Sequence, residues 1–258
     1  MHGHGAAAAG RLAAARTSAW GCRSMPMTYA IADLHGRHDL LIAAFDAVEA
    51  HAGPEPATIV TLGDYVDRGP SSAEVVATLM RGARRAGDRL ICLKGNHDLM
   101  MWSALTGRAA PDHWLDNGGR DTLASYGDDG QAGFRPEVVP EDHVAWIGAL
   151  PLMHVDDGHV FVHAGIDPAV SLDQQTVPTL LCKRYHDRDE GSGPLHVVHG
   201  HDKQEHGPLR LDGRTNLDTH AWRTGRLVIG VFEARRPHAV GLIEVRGAPM
   251  NDAEGHHA

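Results

Sequence analysis

The chain has little with which to cross-link itself and nothing with which to cross a membrane as a helix. Only three cysteines, Cys22, Cys92 and Cys182, stand in 258 residues, without zinc-type spacing. A disulfide framework is therefore not expected, and a reducing, cytoplasmic setting is. No apolar stretch approaches the roughly 18 residues of a spanning helix. Basic charge is short too: the formal net charge is −9 at pH 7. General nucleic-acid binding needs a basic field to release phosphate counterions, so it is not expected either. An acidic balance equally suits a protein that loads divalent cations.

Acidic side chains are in turn missing from residues 1–26. Arg11 and Arg16 break every apolar run of that Ala-rich stretch, so no secretory hydrophobic region of about 7–15 residues is available. Ala19-Trp20-Gly21-Cys22 lacks the apolar segment that precedes a lipoprotein cysteine. The expectation is a disordered leader, or a start at Met25 or Met27, with a second disordered tail at 246–258. Between them, a composition 42% hydrophobic and 22% charged suits one globular domain over 27–245. Nothing in it sets the oligomeric state.

Residues 27–32 read as a first strand, and 38–50 as a helix with Leu40, Leu41, Ala44, Phe45 and Val48 on one face. A buried strand is expected over 58–62, then a helix opened by a Ser71-x-x-Glu74 capping box. A third strand follows over 89–93, and a helix begins at Leu99. From about 102 to 151 the pattern loosens into turns and short helical pieces, read as an insertion that walls a site. Strands resume over 159–163 and 195–198, each ending at histidine, and 227–233 with 239–245 form a closing hairpin. The fold class expected is α/β (α+β), a helix-flanked, sheet-rich sandwich.

Chemistry gathers at the predicted strand ends, where open α/β sheets place their sites. Asp33 and His35, two apart, are expected on one side of a strand, able to reach one ion. Carboxylate with imidazole suits Mn, Fe or Zn rather than Ca. In Gly63-Asp64-Tyr65-Val66-Asp67-Arg68-Gly69, Asp64 can bridge two cations, and Arg68 offers a fork matched to phosphate oxygens. Asn96 presents an amide oxygen for a second ion, and neighbouring His97 suits a general acid. His163, and His199 or His201 of His-Gly-His, follow at later strand ends.

These segments resemble the signatures of the calcineurin-like metallophosphoesterases, in particular the phosphoprotein phosphatase branch with its small bacterial and phage members. Ala32-Asp33-Leu34-His35-Gly36, Gly63 to Gly69 and Gly95-Asn96-His97-Asp98 carry the likeness, and Trp114 to Gly119 with Ser125-Tyr126-Gly127 is similar to the insertion of the bacterial members. The resemblance implies a calcineurin-like sandwich and two divalent ions, Mn before Fe or Zn. It implies Asp33 and His35 on one ion, Asp64 bridging, and Asn96, His163 and His201 on the other, with His199 as the fallback for His201. Arg68 and Arg184 would grip the phosphoryl group, and His97, oriented by Asp67, would be the acid. A hydroxide shared by the ions would attack phosphorus directly in line.

The activity this implies is hydrolysis of phosphomonoesters, phosphoserine and phosphothreonine in proteins first. A dinucleoside tetraphosphatase is the alternative, acting on a small phosphoester, and an inactive phosphoprotein-binding module a third reading. Cys182 and Arg188 have the bare spacing of a cysteine-dependent phosphatase, but the intervening Lys183, Arg184, Tyr185 and His186 include no glycine for a phosphate loop.

Overall fold

A computed structural model of the chain describes residues 27–185 and 195–250. The expected leader, Arg188 and the end of the expected tail lie outside those residues. Residues 246–250 of that tail are described: Arg246 ends a strand, and the Ala248 carbonyl accepts a bond from Arg37.

The elements run β1 (Met27–Ile31), α1 (His38–Ala52), β2 (Thr58–Thr61), α2 (Ser72–Met80), β3 (Arg89–Cys92), α3 (Asn96–Leu105), α4 (Asp112–Trp114), α5 (Arg120–Ser125) and α6 (Glu141–Ala149). Then follow β4 (Met153–Val155), β5 (His159–Val162), α7 (Val177–Cys182), β6 (His196–His199), β7 (Leu209–Arg210), β8 (Arg214–Asn216), α8 (Ala221–Thr224), β9 (Arg226–Glu233) and β10 (Gly241–Arg246). Two five-stranded sheets result, ordered β10-β9-β1-β2-β3 and β4-β5-β6-β8-β7. The α/β expectation holds: this is a mixed α/β sandwich flanked by helices, with β1, β2 and β3 parallel in one sheet and β5, β6 and β8 parallel in the other.

Alternation along the strands explains the layering, because successive side chains point to opposite faces. Tyr29, Ile31, Ile59, Ile229 and Val231 pack outward with Leu41, Phe45, Val76 and Met101 of the helices. Ala30, Val60 and Phe232 point inward to meet Phe161 and Val198 of the second sheet. The Phe161 and Phe232 rings cross edge to face, with centroids 5.8 Å apart. A third cluster covers the far face of the second sheet, where Val160, Val162 and Val197 meet Leu180 of α7.

Three local expectations change. The Ser71 side chain caps nothing; its N–H is already committed to the Gly36 carbonyl at 3.0 Å. The helix expected from Leu99 starts at Asn96, because Asp98 reaches back to the Gly95 N–H at 2.8 Å. Strands β7 and β8 and helix α8, too short for any periodicity to show, complete the second sheet and the site.

Asp88 fastens the entry to β3. Its side chain is 3% exposed and accepts from the Ala57 N–H at 2.8 Å and from Arg85 Nε at 2.8 Å. Burial acts to raise this carboxyl, but the Arg85 and Ala57 bonds outweigh it and hold it below the ordinary carboxylate range. Asp88→Asn should therefore cost about 1–3 kcal/mol of unfolding free energy at neutral pH. Because the folded-state pKa is depressed, the difference from the parent should be complete above about pH 4 and close as pH falls through that lowered value. Urea midpoints across pH 3–7 read both effects; identical midpoints at pH 7 would show that Asp88 holds nothing.

Candidate functional site

One cleft opens where the parallel strands end. The loops after β1, β2 and β3 bring Asp33, His35, Asp64, Arg68, Asn96 and His97 to a cavity of about 280 Å³, and those after β6 and β8 bring His201 and His220. His163 follows β5 and lies beneath, fully buried. Asp33 and His35 do not sit two apart on a strand, as expected, since β1 ends at Ile31. They converge because His35 turns left-handed at φ 42° and Gly36 follows at 65°.

Left-handed backbone marks the site as a whole. Among the described residues seven non-glycines take it, and six of them, His35, Asp64, Asp67, Arg68, His201 and His220, belong to this cleft. Such conformations cost of order 1–3 kcal/mol each and persist only where surroundings impose them. At Asp64 the imposing group is Asp98, fully buried at the start of α3. Its carboxylate accepts from the N–H groups of Asp64 (2.9 Å), Tyr65 (3.0 Å) and Gly95 (2.8 Å). Asp64 in turn accepts the His97 N–H at 2.9 Å. Gly95 has to be glycine, as a Cβ there would run into the Asp64 carboxylate and amide. Gly200, between the two late histidines, lies equally close to the Asp33 carboxylate.

Tautomers follow from the fixed acceptors. His35 Nδ1 donates to the Val66 carbonyl at 2.8 Å, and His163 Nδ1 to the Leu62 carbonyl at 2.9 Å. Each Nε2 therefore presents a lone pair. His163 Nε2 lies 2.9 Å from the Asn96 amide oxygen, so two acceptors face each other, an arrangement that a shared cation relieves. Two groups bring ligand atoms within 4.8 Å of one another: His35, Asp64 and His97, and Asp64, His163 and His201. Asp64 is common to both. Asp33 stands beside them, accepting the His201 N–H at 3.1 Å.

Charge makes the same demand. Burial raises the Asp33 carboxyl to about 6 and shifts Asp64 the same way. It pushes the imidazoles of His35, His163 and His201 down. Acids that resist ionising and imidazoles that resist protonation are both relieved by divalent cations, which supply positive charge and take lone pairs. This donor set fits metal.

His97 is held from behind. Its Nδ1 donates to Asp67 Oδ2 at 2.6 Å, and its Nε2 accepts from Arg68 at 2.9 Å. Burial drives the imidazole down to about 3 and the Asp67 carboxyl up to about 7. The other Asp67 oxygen accepts from Trp114 Nε1 (2.9 Å) and Thr122 Oγ1 (2.8 Å). The 102–151 segment thus does more than wall the cleft, for α4 and α5 supply the groups that fix Asp67. The Gly118 carbonyl between these helices also accepts the Arg68 N–H at 3.3 Å.

Of the remaining candidates, Arg184 lines the cavity while pairing with Asp202 at 3.4 Å. His199, the fallback ligand, does not reach the cleft cluster. It is fully buried, with Nδ1 donating to the Gly200 carbonyl at 3.0 Å and Nε2 accepting from Arg214 at 3.3 Å. Burial raises the Cys182 thiol, the wrong direction for a nucleophile. Thr122, Asp218, His220 and Trp222 escape the sequence reading, whereas Asp98 belongs to the Gly95-Asn96-His97-Asp98 signature and spends its carboxylate on the backbone N–H groups of Asp64, Tyr65 and Gly95. If Asp98 sets the loops, Asp98→Ala should weaken Mn binding roughly 10–100-fold. Calorimetric titration of folded variant and parent reads this, and a Kd within twofold would refute it.

Comparison with known proteins follows this geometry. Over 147 residues the chain is 31% identical to the symmetrical bis(5'-nucleosyl)-tetraphosphatase of Methylobacillus flagellatus, covering 57% of this chain and 46% of that protein. The proteins of the same name from Nitrosomonas europaea and Paracidovorax citrulli are 30% and 34% identical over 153 and 149 residues, covering 58% and 56% of this chain and 48% and 46% of theirs. The matched stretch thus spans about half the length of each relative. These names overturn the expectation of a serine/threonine protein phosphatase in favour of its alternative.

Solved structures show the fold alone. A protein assigned as a diadenosine tetraphosphatase superposes with a TM-score of 0.59 at 23% identity, covering 88% of this chain and 96% of that one. A cold-active protein tyrosine phosphatase gives 0.58 at 16%, covering 80% and 76%. The profile of the calcineurin-like phosphoesterases matches residues 27–230, and the chain belongs to that family.

Proposed function

We propose that the chain hydrolyses dinucleoside tetraphosphates at the middle linkage, releasing two nucleoside diphosphates. One observation carries this reading. In a chain of net charge −9, the cavity holding the metal-capable cluster is also lined by four cationic side chains, Arg68, Arg184, Lys203 and Arg223. A single phosphomonoester dianion needs fewer than four; a four-phosphate chain can draw on more of them, against the Asp116 and Asp218 carboxylates that line the same cavity. The names of the bacterial relatives point the same way.

In this reading Asp33, His35 and Asp64 hold one divalent ion, and Asp64, Asn96, His163 and His201 hold a second, with Mn the ion to supply first. Such ions supply Lewis-acid stabilisation and activate water near neutral pH. Arg68, which lies 2.8 Å from His35 Nε2 and 2.9 Å from His97 Nε2, exchanges these contacts for phosphoryl oxygens. Arg184 grips the chain from the opposite wall. His97 can give a proton to the leaving oxygen only once the anionic substrate draws Arg68 away from its Nε2 and lifts the imidazole from about 3. Asp67, fixed by Trp114 and Thr122, then steadies the imidazolium.

The test is direct. With Mn and diadenosine tetraphosphate, chromatography should show ADP as the sole nucleotide product, and chelation should abolish turnover until Mn is restored. ATP with AMP as products, or a higher kcat/KM on a phosphoserine peptide, would overturn the reading.

The role of His97 depends on the leaving group. A nucleoside diphosphate and nitrophenolate are weak bases, whereas an alkoxide leaves only with a proton. General acid help is worth roughly 10²–10⁴-fold where it is needed. At saturating Mn, His97→Asn should cut hydrolysis of an alkyl phosphate by that factor, and of nitrophenyl phosphate or diadenosine tetraphosphate far less. Equal losses on all three would mean His97 is not the proton donor.

A further inference from the structure

The far wall of the cleft is built by α8, a single turn bracketed by left-handed residues, His220 at φ 58° and Gly225 at φ 68°. It presents Trp222 to the same cavity as the metal-capable cluster. The Arg68 guanidinium carbon lies 5.9 Å from the centre of the Trp222 ring, and the His220 ring meets it edge-on at 5.3 Å. An indole face is thus set beside the side chain proposed to grip phosphate.

Two further observations single this residue out. Trp222 Nε1 is shielded from solvent and, alone among buried side-chain nitrogens and oxygens of the described residues, has no hydrogen-bond partner. An orphaned donor costs about 1–3 kcal/mol, so a native structure keeps one where something else satisfies it. The backbone beneath it is also held with unusual care. Arg37, itself buried at 3% exposure, donates to the carbonyls of Ala221 (3.3 Å), Trp222 (3.0 Å) and Ala248 (2.9 Å). Asp39 pairs with that guanidinium at 2.8 and 2.7 Å. A buried arginine committed to one short turn fixes the indole in place.

We propose that Trp222 is the nucleobase platform of this site. One base of the substrate stacks on the indole, Nε1 donates to an acceptor of that nucleoside, and Arg37 is a positioning residue that holds the platform. The inference rests on the dinucleotide reading above and adds to it which half of the substrate is gripped. At about 280 Å³ the cavity is at the small end for ligand pockets. In this proposal the phosphate chain and one nucleoside occupy the cleft, and the second nucleoside lies outside it.

Base–aromatic stacking is worth a factor of roughly 10–100 on truncation to alanine. In Mn-loaded protein, Trp222→Ala should raise the KM for diadenosine tetraphosphate by that factor and weaken ADP binding equally, while pyrophosphate, which has no base, loses less than twofold. Trp222→Phe should recover the stacking share of the loss but not the Nε1 share. Arg37→Lys should raise KM more mildly with kcat within twofold; a fall in kcat instead would assign Arg37 to the metal loop. ADP binding unchanged in Trp222→Ala, or pyrophosphate weakened as much as ADP, overturns the platform. The ADP and pyrophosphate measurements need no turnover. If the parent failed to cleave diadenosine tetraphosphate, the functional reading would fall while the platform was judged separately.

Discussion

Two loops laced by their own carboxylates set the geometry of everything else in the cleft. Asp98, on the third loop, takes the amides of Asp64 and Tyr65 on the second, and Asp64 returns the favour to the His97 amide. Neither loop can shift without breaking bonds of the other, in a place where water does not reach to replace them. Burial pushes the Asp98 carboxyl up to about 8, but its two oxygens accept three backbone N–H groups, a set of bonds suited to the acceptor-only, ionised form. The place of Asp64 between the two groups of metal-capable side chains, and the facing of Asn96 and His97, follow from this lacing. The first loop joins through the Asp64 carbonyl, which accepts from both Leu34 and His35.

The lacing holds the left-handed backbone at Asp64, and other positions have separate partners: Ser72 and Thr122 take the Asp67 N–H, the Gly118 carbonyl that of Arg68, Asp33 that of His201 and Asp218 that of His220. Left-handed turns at His35, Asp64, Asp67, Arg68, His201 and His220 make each strand end fold back sharply, so that side chains from separate loops meet within a few ångströms. A relaxed backbone would carry the same ligands outward into solvent. The energy comes from the apolar layers on either side of the first sheet, where long runs of buried Leu, Ile, Val and Phe leave the frame rigid.

Much of this is legible in the sequence because the chemistry is local there. The pieces around Asp33, Asp64 and Asn96 each place ligand, turn residue and strand within a few positions, and the outward and inward faces of β1, β2 and β9 follow simple alternation. What escapes is long-range or unpatterned. Trp114 and Thr122 bind Asp67 from 47 and 55 residues away, and no periodicity announces that. Ser71-x-x-Glu74 fits a capping box, but the Ser71 amide is claimed by Gly36 instead. Helix α8 is one turn long, so Trp222 looks like any surface tryptophan. The substrate is illegible for a different reason: attack on phosphorus asks for the same ligands whether the phosphate sits on serine or on another phosphate.

The hold of α4 and α5 on Asp67 separates two kinds of evolutionary freedom. The inward residues Trp114 and Thr122 fix Asp67 and through it the His97 ring, and the Gly118 carbonyl fixes the Arg68 amide, although none of the three is a candidate ligand. Asp116 and Asn117, on the same short stretch, face the cavity and bond to nothing in its machinery. The rim of the cleft can therefore change at those outward positions while the aim of the His97 ring, set from the inward side, stays as it is.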